Sequence, residues 1–433
     1  MSLLVKNVIL NGKKQDIFIE GNKIKKIGKN LNLKANEKID GKGEKAVLPG
    51  FINCHTHSAM ILFRGYADDL PLKEWLENKI WPLEKKLTED DVYWGTKLAI
   101  LEMIKTGTTT FNEMYWFEEA QIEAVKEMGL RAKIGLVLLD FLPMGSKEHI
   151  EKLYKKLDAK NLDPITLSLA PHSIYTVSKE NLIWAKNFTK KTTTRPPPSH
   201  LRQAPNLILH MHLSETGNEV KDCVRKYKMR PAEFLEKIEF LGKNCLFAHS
   251  IWLNDREIKI LKKRNCNLIY NPCSNTKLAS GIFPYKTIKE AEVNICLGTD
   301  SAASNNSLDM FLEMKFGSLL QKIKERDTTV APAKEIFEVA TKNGAKALKI
   351  NAGEIKVGKL ADLILIDLNE INLIPNYNLI SNLVYSANGN CVSDLICNGK
   401  VLMRDRKIED EEKIKKETIK RAVYLTKFQQ KIN

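Results

Sequence analysis

The sequence is that of an α/β protein: a (β/α)₈ barrel carrying a small β-sandwich assembled from both chain ends. Three observations predict it. Eight apolar strand-like runs alternate with helical runs between residues 50 and 350. Each end of the chain carries short alternating strands, too few to close a core alone. Polar residues gather just past the ends of the central runs, the place where barrel proteins keep their chemistry. The division that follows is residues 1–49 and 351–410 for the two parts of the sandwich, 50–350 for the barrel, and 411–433 for a helical tail.

At the N-terminal end the strand patterns are Leu3–Leu10, Ile17–Ile19 and Lys23–Ile27, separated by the turn signals Asn11-Gly12 and Gly21-Asn22. Their partners are Asp362–Ile366 and Leu395–Cys397, the latter before Asn398-Gly399-Lys400. The barrel strands are expected at Phe51–Cys54, Thr108–Phe111, Ala132–Leu139, Ile165–Ala170, Leu207–Leu213, Cys245–Ala248, Asn267–Tyr270 and Val293–Leu297. A representative helix runs from Thr88 to Lys105. Thr88 can cap it with Asp91 three residues on, and Gly107 lies just past its end.

Composition narrows the function classes. Apolar residues at 43% and charged residues at 28% are those of an ordinary globular protein. No signal-peptide pattern opens the sequence and no apolar run is long enough to cross a bilayer, so a cytoplasmic protein with no membrane partner is expected. The eight cysteines include no CxxC pair and sit mostly in apolar runs, which fits buried free thiols in a reducing compartment. The net charge of +15 raises the question of nucleic acid. The lysines are interleaved with acids, as in Glu84-Lys85-Lys86 and Glu411-Glu412-Lys413, and form no basic arm, so a solvated surface is the reading adopted.

The chemistry lies at the strand ends. Val47–Ser58 reads VLPGFINCHTHS and delivers His55 and His57, two residues apart at the end of the first strand. Two imidazoles converging there are half of a tetrahedral metal site. A lone HxH is more often a pair of satisfied core or surface histidines. The later strands change that balance. Strand four ends Ala170-Pro171-His172-Ser173, and strand five reads LILHMHLSE, with His210, His212 and then Glu215. Strand six ends Phe247-Ala248-His249-Ser250, strand seven Asn271-Pro272-Cys273-Ser274-Asn275, and strand eight Gly298-Thr299-Asp300-Ser301. Packing does not explain so many imidazoles and an aspartate at successive strand ends; a metal-dependent hydrolytic site does.

Five blocks, PGFINCHTHS, HLSET, AHSIWL, NPCSNTKLASG and LGTDSAASNN, resemble in order the 5-methylthioadenosine/S-adenosylhomocysteine deaminase family of the amidohydrolase superfamily. Nearly the whole chain takes part. The resemblance implies hydrolytic deamination of 5′-substituted adenosine nucleosides (5′-deoxyadenosine, 5′-methylthioadenosine, S-adenosylhomocysteine, adenosine) to the inosine analogue and ammonia. It implies one divalent metal per chain, Zn²⁺ first and Fe²⁺ second, on His55, His57, His212 and Asp300. Relatives with two metals bridge them through a lysine on strand four, and Ile165–Ser173 contains none. Glu215 would protonate the ring nitrogen and pass a proton to departing ammonia, His249 would orient the attacking water, and Asp300 would take its proton. His210 reads as a support behind the ligands. Glu84 matches the position that accepts the ribose hydroxyls, with Trp75 and His172 lining the nucleoside pocket. The partners implied are a small nucleoside and further copies of the chain, in a dimer or tetramer.

Two departures stand out. Relatives suited to S-adenosylhomocysteine can carry an arginine in strand three, whereas Ile134-Gly135-Leu136-Val137 is uncharged and Arg131 falls at the far end of that strand. Thr192–Pro205, TTTRPPPSHLRQAP, resembles nothing in the family; its prolines predict an exposed, irregular and catalytically silent connection in which His200 is no ligand. Rival readings are a deaminase of another ring such as guanine or cytosine, a metal-free scaffold of the same fold, and an RNA-binding protein. The ribose-matching Glu84 speaks against the first, the complete ligand set against the second, and the dispersed lysines against the third.

Overall fold

A computed structural model of the chain describes residues 2–160, 162–193 and 207–427. Five strands open it: β1 (Ser2–Leu10), β2 (Lys13–Glu20), β3 (Lys23–Gly28), β4 (Glu37–Asp40) and β5 (Lys45–Pro49). Eight barrel strands follow: β6 (Phe51–Thr56), β7 (Thr108–Glu113), β8 (Arg131–Leu138), β9 (Ile165–Pro171), β10 (Leu209–Leu213), β11 (Cys245–His249), β12 (Asn267–Tyr270) and β13 (Asn294–Leu297). The last three, β14 (Leu363–Asp367), β15 (Val392–Cys397) and β16 (Lys400–Met403), return to the first sheet.

The sandwich sheet runs β16-β15-β14-β5-β1-β2-β3, with β4 beside β1. Its seam is the antiparallel pair of β5 with β14, where Val47 lies opposite Leu365, so the two chain ends share one sheet. Side chains alternate across it. Leu363 and Leu365 enter a small core with Leu3, Val5, Ile17 and Ile19, while Ile364 and Ile366 face the main core around the barrel. The Asn11-Gly12 and Asn398-Gly399 turns are left-handed at both residues, as two-residue hairpins require. β4 has no counterpart in the sequence analysis: EKID is too short and too polar to signal a strand.

All eight expected barrel strands are present, and their parallel pairs run in order from β6 to β13. The backbone N–H of Asp300, just past β13, donates to His55 O at 3.0 Å and draws the last strand to the first. Gly50, between the two sheets, lies so close to Thr109 that a Cβ would overlap its side chain. Barrel-interior residues Ile52, Cys54, Ile208, Leu246, Ala248, Ile269 and Cys296 pack against Ala345, Ala347 and Leu348 of the helix Lys342–Leu348. This helix plugs the N-terminal end.

The helix Glu89–Lys105 begins in the expected capping box of Thr88 with Asp91. The C-terminal helix Glu411–Thr426 packs on it, with Arg421 paired to Asp90; residues 428–433 of the expected tail lie outside the described residues. Thr192, expected to open an irregular segment, is instead buried within the helix Lys179–Thr193. Its hydroxyl completes a helical turn by donating to Thr189 O at 3.0 Å. The rest of that segment, 194–205 with His200, lies outside the described residues. No helix is long and apolar enough to cross a membrane among the described residues.

Candidate active site

Strict alternation along β6 would set His55 on the same side as Asn53, opposite Ile52 and Cys54. The pairing with β7 shifts register between Asn53 and Thr56, and this irregularity re-aims the strand end. His55 turns inward, fully buried, with its Nδ1 2.9 Å from His210 Nε2. The other ring nitrogen of His210 meets Asn112 Nδ2 at 2.9 Å, and the same amide donates to Cys54 O. His210 is thus the support behind His55 that its position one step below His212 suggested.

His57 donates from Nδ1 to Met114 O at 2.5 Å, and His212 from Nδ1 to His172 O at 2.8 Å. Each of these neutral rings therefore turns an unprotonated Nε2 inward, and the two nitrogens stand 3.4 Å apart. Asp300 Oδ1 lies 3.4 Å from both His55 Nε2 and His57 Nε2. Its second oxygen accepts from Ser274 Oγ at 2.5 Å and from Ser304 Oγ at 3.0 Å, which fixes which oxygen faces the histidines. Burial raises the Asp300 pKa, but the ring nitrogens of His55, His249 and His57 around the carboxyl outweigh that and hold it below the usual carboxylate range. Burial keeps His55, His57, His212 and His249 below the usual imidazole range, so they are neutral at pH 7.

Two overlapping sets of donors converge within 4.8 Å: His55, His57 and Asp300, and His55, His212 and His249. His249 Nδ1 faces Asn275 Nδ2 at 3.2 Å, an orientation that leaves the ring proton on Nε2, 3.9 Å from Glu215 Oε2.

Glu215 follows the left-handed Ser214, and the backbone N–H groups of both donate to Glu219 at 2.8 Å. That clamp aims the Glu215 carboxyl at the site, where it has no hydrogen-bond partner among the described residues. Burial, then the Asp300 charge, pushes its pKa up to about 8, so it is a carboxylic acid at neutral pH. Glu219 is absent from the sequence analysis. Thr216-Gly-Asn-Glu219 has the spacing of a capping box, but its wider role depends on the Ser214 turn.

Glu84 ends a helical stretch of Leu72–Trp75, a π-turn at Leu76–Ile80 and Trp81–Glu84. Pro82 has no N–H to give a regular turn, which suits the wider π spacing. Tyr115 donates its hydroxyl to Glu84 Oε1 at 2.8 Å, and burial pushes the Glu84 pKa up to about 7. Trp75 is buried and donates from Nε1 to Ala67 O. His172 is held by Thr176 Oγ1, 3.0 Å from its Nδ1.

These groups share one cavity of about 370 Å³ at the C-terminal ends of the strands. His57, Trp75, Glu84, His172, His212, Glu215, His249 and Asp300 all line it, with His55 just beneath. One wall is apolar: Val137, Leu139, Phe141, Leu142 and Met144. Arg131 is elsewhere. At the start of β8 it makes a buried ion pair with Asp362, joining barrel to sandwich.

The sequence pattern of the amidohydrolase family matches residues 46–402. The chain belongs to the amidohydrolase family. This amidohydrolase is 46% identical over 414 residues to the 5-methylthioadenosine/S-adenosylhomocysteine deaminase of Thermococcus sibiricus, covering 93% of this chain and 94% of the relative. It is 46% identical over 421 residues to the 5′-deoxyadenosine deaminase of Methanocaldococcus jannaschii, at 95% and 97% coverage. An adenosine deaminase from Xanthomonas campestris solved with bound zinc superposes with a TM-score of 0.89 at 30% identity, covering 98% of this chain and 97% of that one. Guanine deaminase from E. coli, at 20% identity and a TM-score of 0.78, shares the fold.

Proposed function

We propose that this amidohydrolase converts 5′-substituted adenosine nucleosides and water to the inosine analogue and ammonia. The observation that carries the reading is Glu215: a buried carboxyl without a hydrogen-bond partner among the described residues, facing a cavity that also holds the His/Asp cluster and Glu84, where burial raises its pKa to about 8. The names of the relatives supply the substrate class.

The donor set fits a metal. Two unprotonated Nε2 atoms 3.4 Å apart repel unless a cation lies between them, and His55 Nε2 is buried without a hydrogen-bond partner among the described residues. His55, His57, His212 and Asp300 would hold one divalent ion, Zn²⁺ before Fe²⁺, with His249 left to orient the attacking water. Such an ion supplies a hydroxide nucleophile at neutral pH.

The chain's own groups do the rest. Glu215 gives its proton to N1 of the purine, so that the ring can accept electron density as C6 becomes tetrahedral. Asp300, ionised, receives the proton from the attacking water. His249 donates from Nε2 and orients that water. Glu215, ionised by that transfer, takes the proton of the new C6 hydroxyl and passes it to the amino group, which leaves as ammonia, and the proton held by Asp300 then returns to Glu215. Glu84 offers two oxygens to the two ribose hydroxyls and is fixed for that by Tyr115. His172 and Trp75 close the pocket around the nucleoside.

The wall of Val137, Leu139 and Leu142 supports an apolar 5′ group. A homocysteine carboxylate set against it would lose hydration with no cation to pair with. Eight free cysteines, seven of them buried, support a cytoplasmic setting. The exposed row Phe316, Leu319 and Ile323 supports a homo-oligomer, and domain limits at residues 49, 350 and 410 complete the reading.

A spectrophotometric assay over adenosine, 5′-deoxyadenosine, 5′-methylthioadenosine, S-adenosylhomocysteine, guanine and cytosine tests the function. The expected result is turnover of the nucleosides only, with kcat/KM for 5′-deoxyadenosine and 5′-methylthioadenosine above that for S-adenosylhomocysteine. Turnover of a free base, with none of adenosines, overturns the assignment. Equal or better use of S-adenosylhomocysteine overturns the apolar-wall argument alone.

A further inference from the structure

The interior of the barrel is chemically divided in its lower half. From β10 round to β6 it is built on Ile208, Leu246, Ile269, Cys296 and Ile52, and its polar side chains, Asn267 and Asn294, are hydrogen-bonded to each other. From β7 to β9 it is polar. The register sets Lys133 beside Asn112 on one side and Thr166 on the other, with Ser168 beside Gly135. Registered neighbours share a face, and Asn112 reaches His210 inside the barrel. Lys133, Thr166 and Ser168 therefore face inward, as does Thr110 two residues below Asn112.

Lys133 is 7% exposed and has three N–H donors, yet among the described residues its ammonium makes one hydrogen bond, to Thr166 Oγ1 at 3.0 Å. The hydroxyls of Thr108, Thr110 and Ser168 are buried with no hydrogen-bond partner among the described residues. Lys349, directly after the plugging helix, acts on Lys133 with its positive charge, and Lys186 and Lys243 act on Lys349 in turn. None of these four lysines forms an ion pair among the described residues. Asp362, at the start of β14, is taken by Arg131, which donates to both its oxygens.

A buried ammonium without a carboxylate is costly, and buried hydroxyls without partners are rare. One anion relieves both, accepting from the ammonium and the hydroxyls while offsetting the lysine charges. Thr166 is exposed to solvent and supplies the entry. We infer that the N-terminal mouth of the barrel, between β7, β8 and β9, binds a phosphate-type anion through Lys133, Thr166 and Lys349. This site lies at the end of the strands opposite the deaminase cavity and does not depend on the function proposed for that cavity.

The test is calorimetric titration of the purified full chain at fixed ionic strength, one arm with inorganic phosphate and one with uridine monophosphate. Saturable binding at one site per chain is expected. Lys349→Ala, at an exposed position, should weaken it at least about tenfold, the scale of losing one charge-assisted contact. Lys133→Met should abolish it and, in phosphate-free buffer, raise Tm, because an unneutralised buried charge is gone. Tighter binding of the nucleotide assigns the mouth to an esterified phosphate, and equal or weaker binding to the free ion. Absence of saturation in both arms overturns the proposal, as does binding that both variants leave unchanged. If phosphate does not bind and Thr110→Val lowers Tm, the hydroxyls are satisfied by water and the site is a hydration pocket.

Discussion

The junction between barrel and sandwich and the cavity at the other end of the barrel both bury charge, and they treat it in opposite ways. At the junction, Arg131 donates twice to Asp362 and once to Asn398 Oδ1, and Asp362 Oδ1 also accepts from the Asn398 N–H. At the cavity, neither the Glu215 carboxyl nor His55 Nε2 has a hydrogen-bond partner among the described residues, and two imidazole lone pairs face each other. Buried polar groups that only hold a fold are paired in place. Unused bonding capacity at a site is room for something that arrives, and at the cavity it falls on residues assigned to metal and proton transfer.

The comparison is broken most sharply at His212. Purified protein should carry close to one Zn²⁺ or Fe²⁺ per chain by metal analysis, and His212→Ala should lose both the metal and measurable turnover. Two tightly held ions per chain, or an active variant, would show that the unpaired nitrogens serve another purpose.

Glu215→Gln comes next. It keeps size and hydrogen bonding but cannot supply the proton, so kcat should fall at least about 10²-fold with metal content unchanged. The pH profile sharpens this. With its pKa raised to about 8, Glu215 is the required acid below that value, so kcat/KM should fall as pH rises through about 8. Stability follows the same sign. The folded state holds a proton there that the unfolded chain has released, so the Glu215 contribution is present below its ordinary value and lost as pH rises through about 8. A rate that climbs steadily above pH 8 would remove Glu215 from the proton transfer.

Ser274→Ala should have a smaller effect. It removes one of the two hydroxyls on Asp300 Oδ2, and loss of such a supporting bond typically costs about 10–100-fold in metal affinity or activity. The smallest kinetic effect is expected at the junction. Arg131→Met leaves Asp362 buried and unpaired, which should destabilise the fold by about 3–5 kcal/mol in denaturant titration. The folded fraction should keep kcat/KM within a few-fold. A large kinetic loss at unchanged stability would mean that the junction is coupled to the site.

Much of this organisation is legible in the sequence because it depends on local pattern. The eight barrel strands stand out as apolar runs, Thr88-Asp91 marks a helix start, and His55, His57, His212, Glu215, His249 and Asp300 lie next to strand ends that the runs define. What the sequence hides depends on backbone turns that bring distant residues together. Glu219 reaches back only because Ser214 is left-handed, and Ser274 meets Ser304 only because Asp300, also left-handed, lies between their loops. His55 turns inward through a register shift that strict alternation does not foresee. Lys133 looked like one more lysine in a basic chain; only the pairing with β7 and β9 shows that it faces the barrel interior.

The seam between β5 and β14 has a consequence for how the protein is made. β5 ends at Pro49 and its hydrogen-bonded neighbour begins at Leu363, so the first strands leave the ribosome long before their partner has been translated. The barrel segments, each pairing with the next, can assemble in the order they emerge. Val47 and its neighbours must wait with an unpaired edge and exposed apolar faces, the features that invite aggregation during synthesis. Chains truncated before residue 363 should therefore retain barrel segments and still bind chaperones through their amino-terminal strands, and release should follow translation of β14.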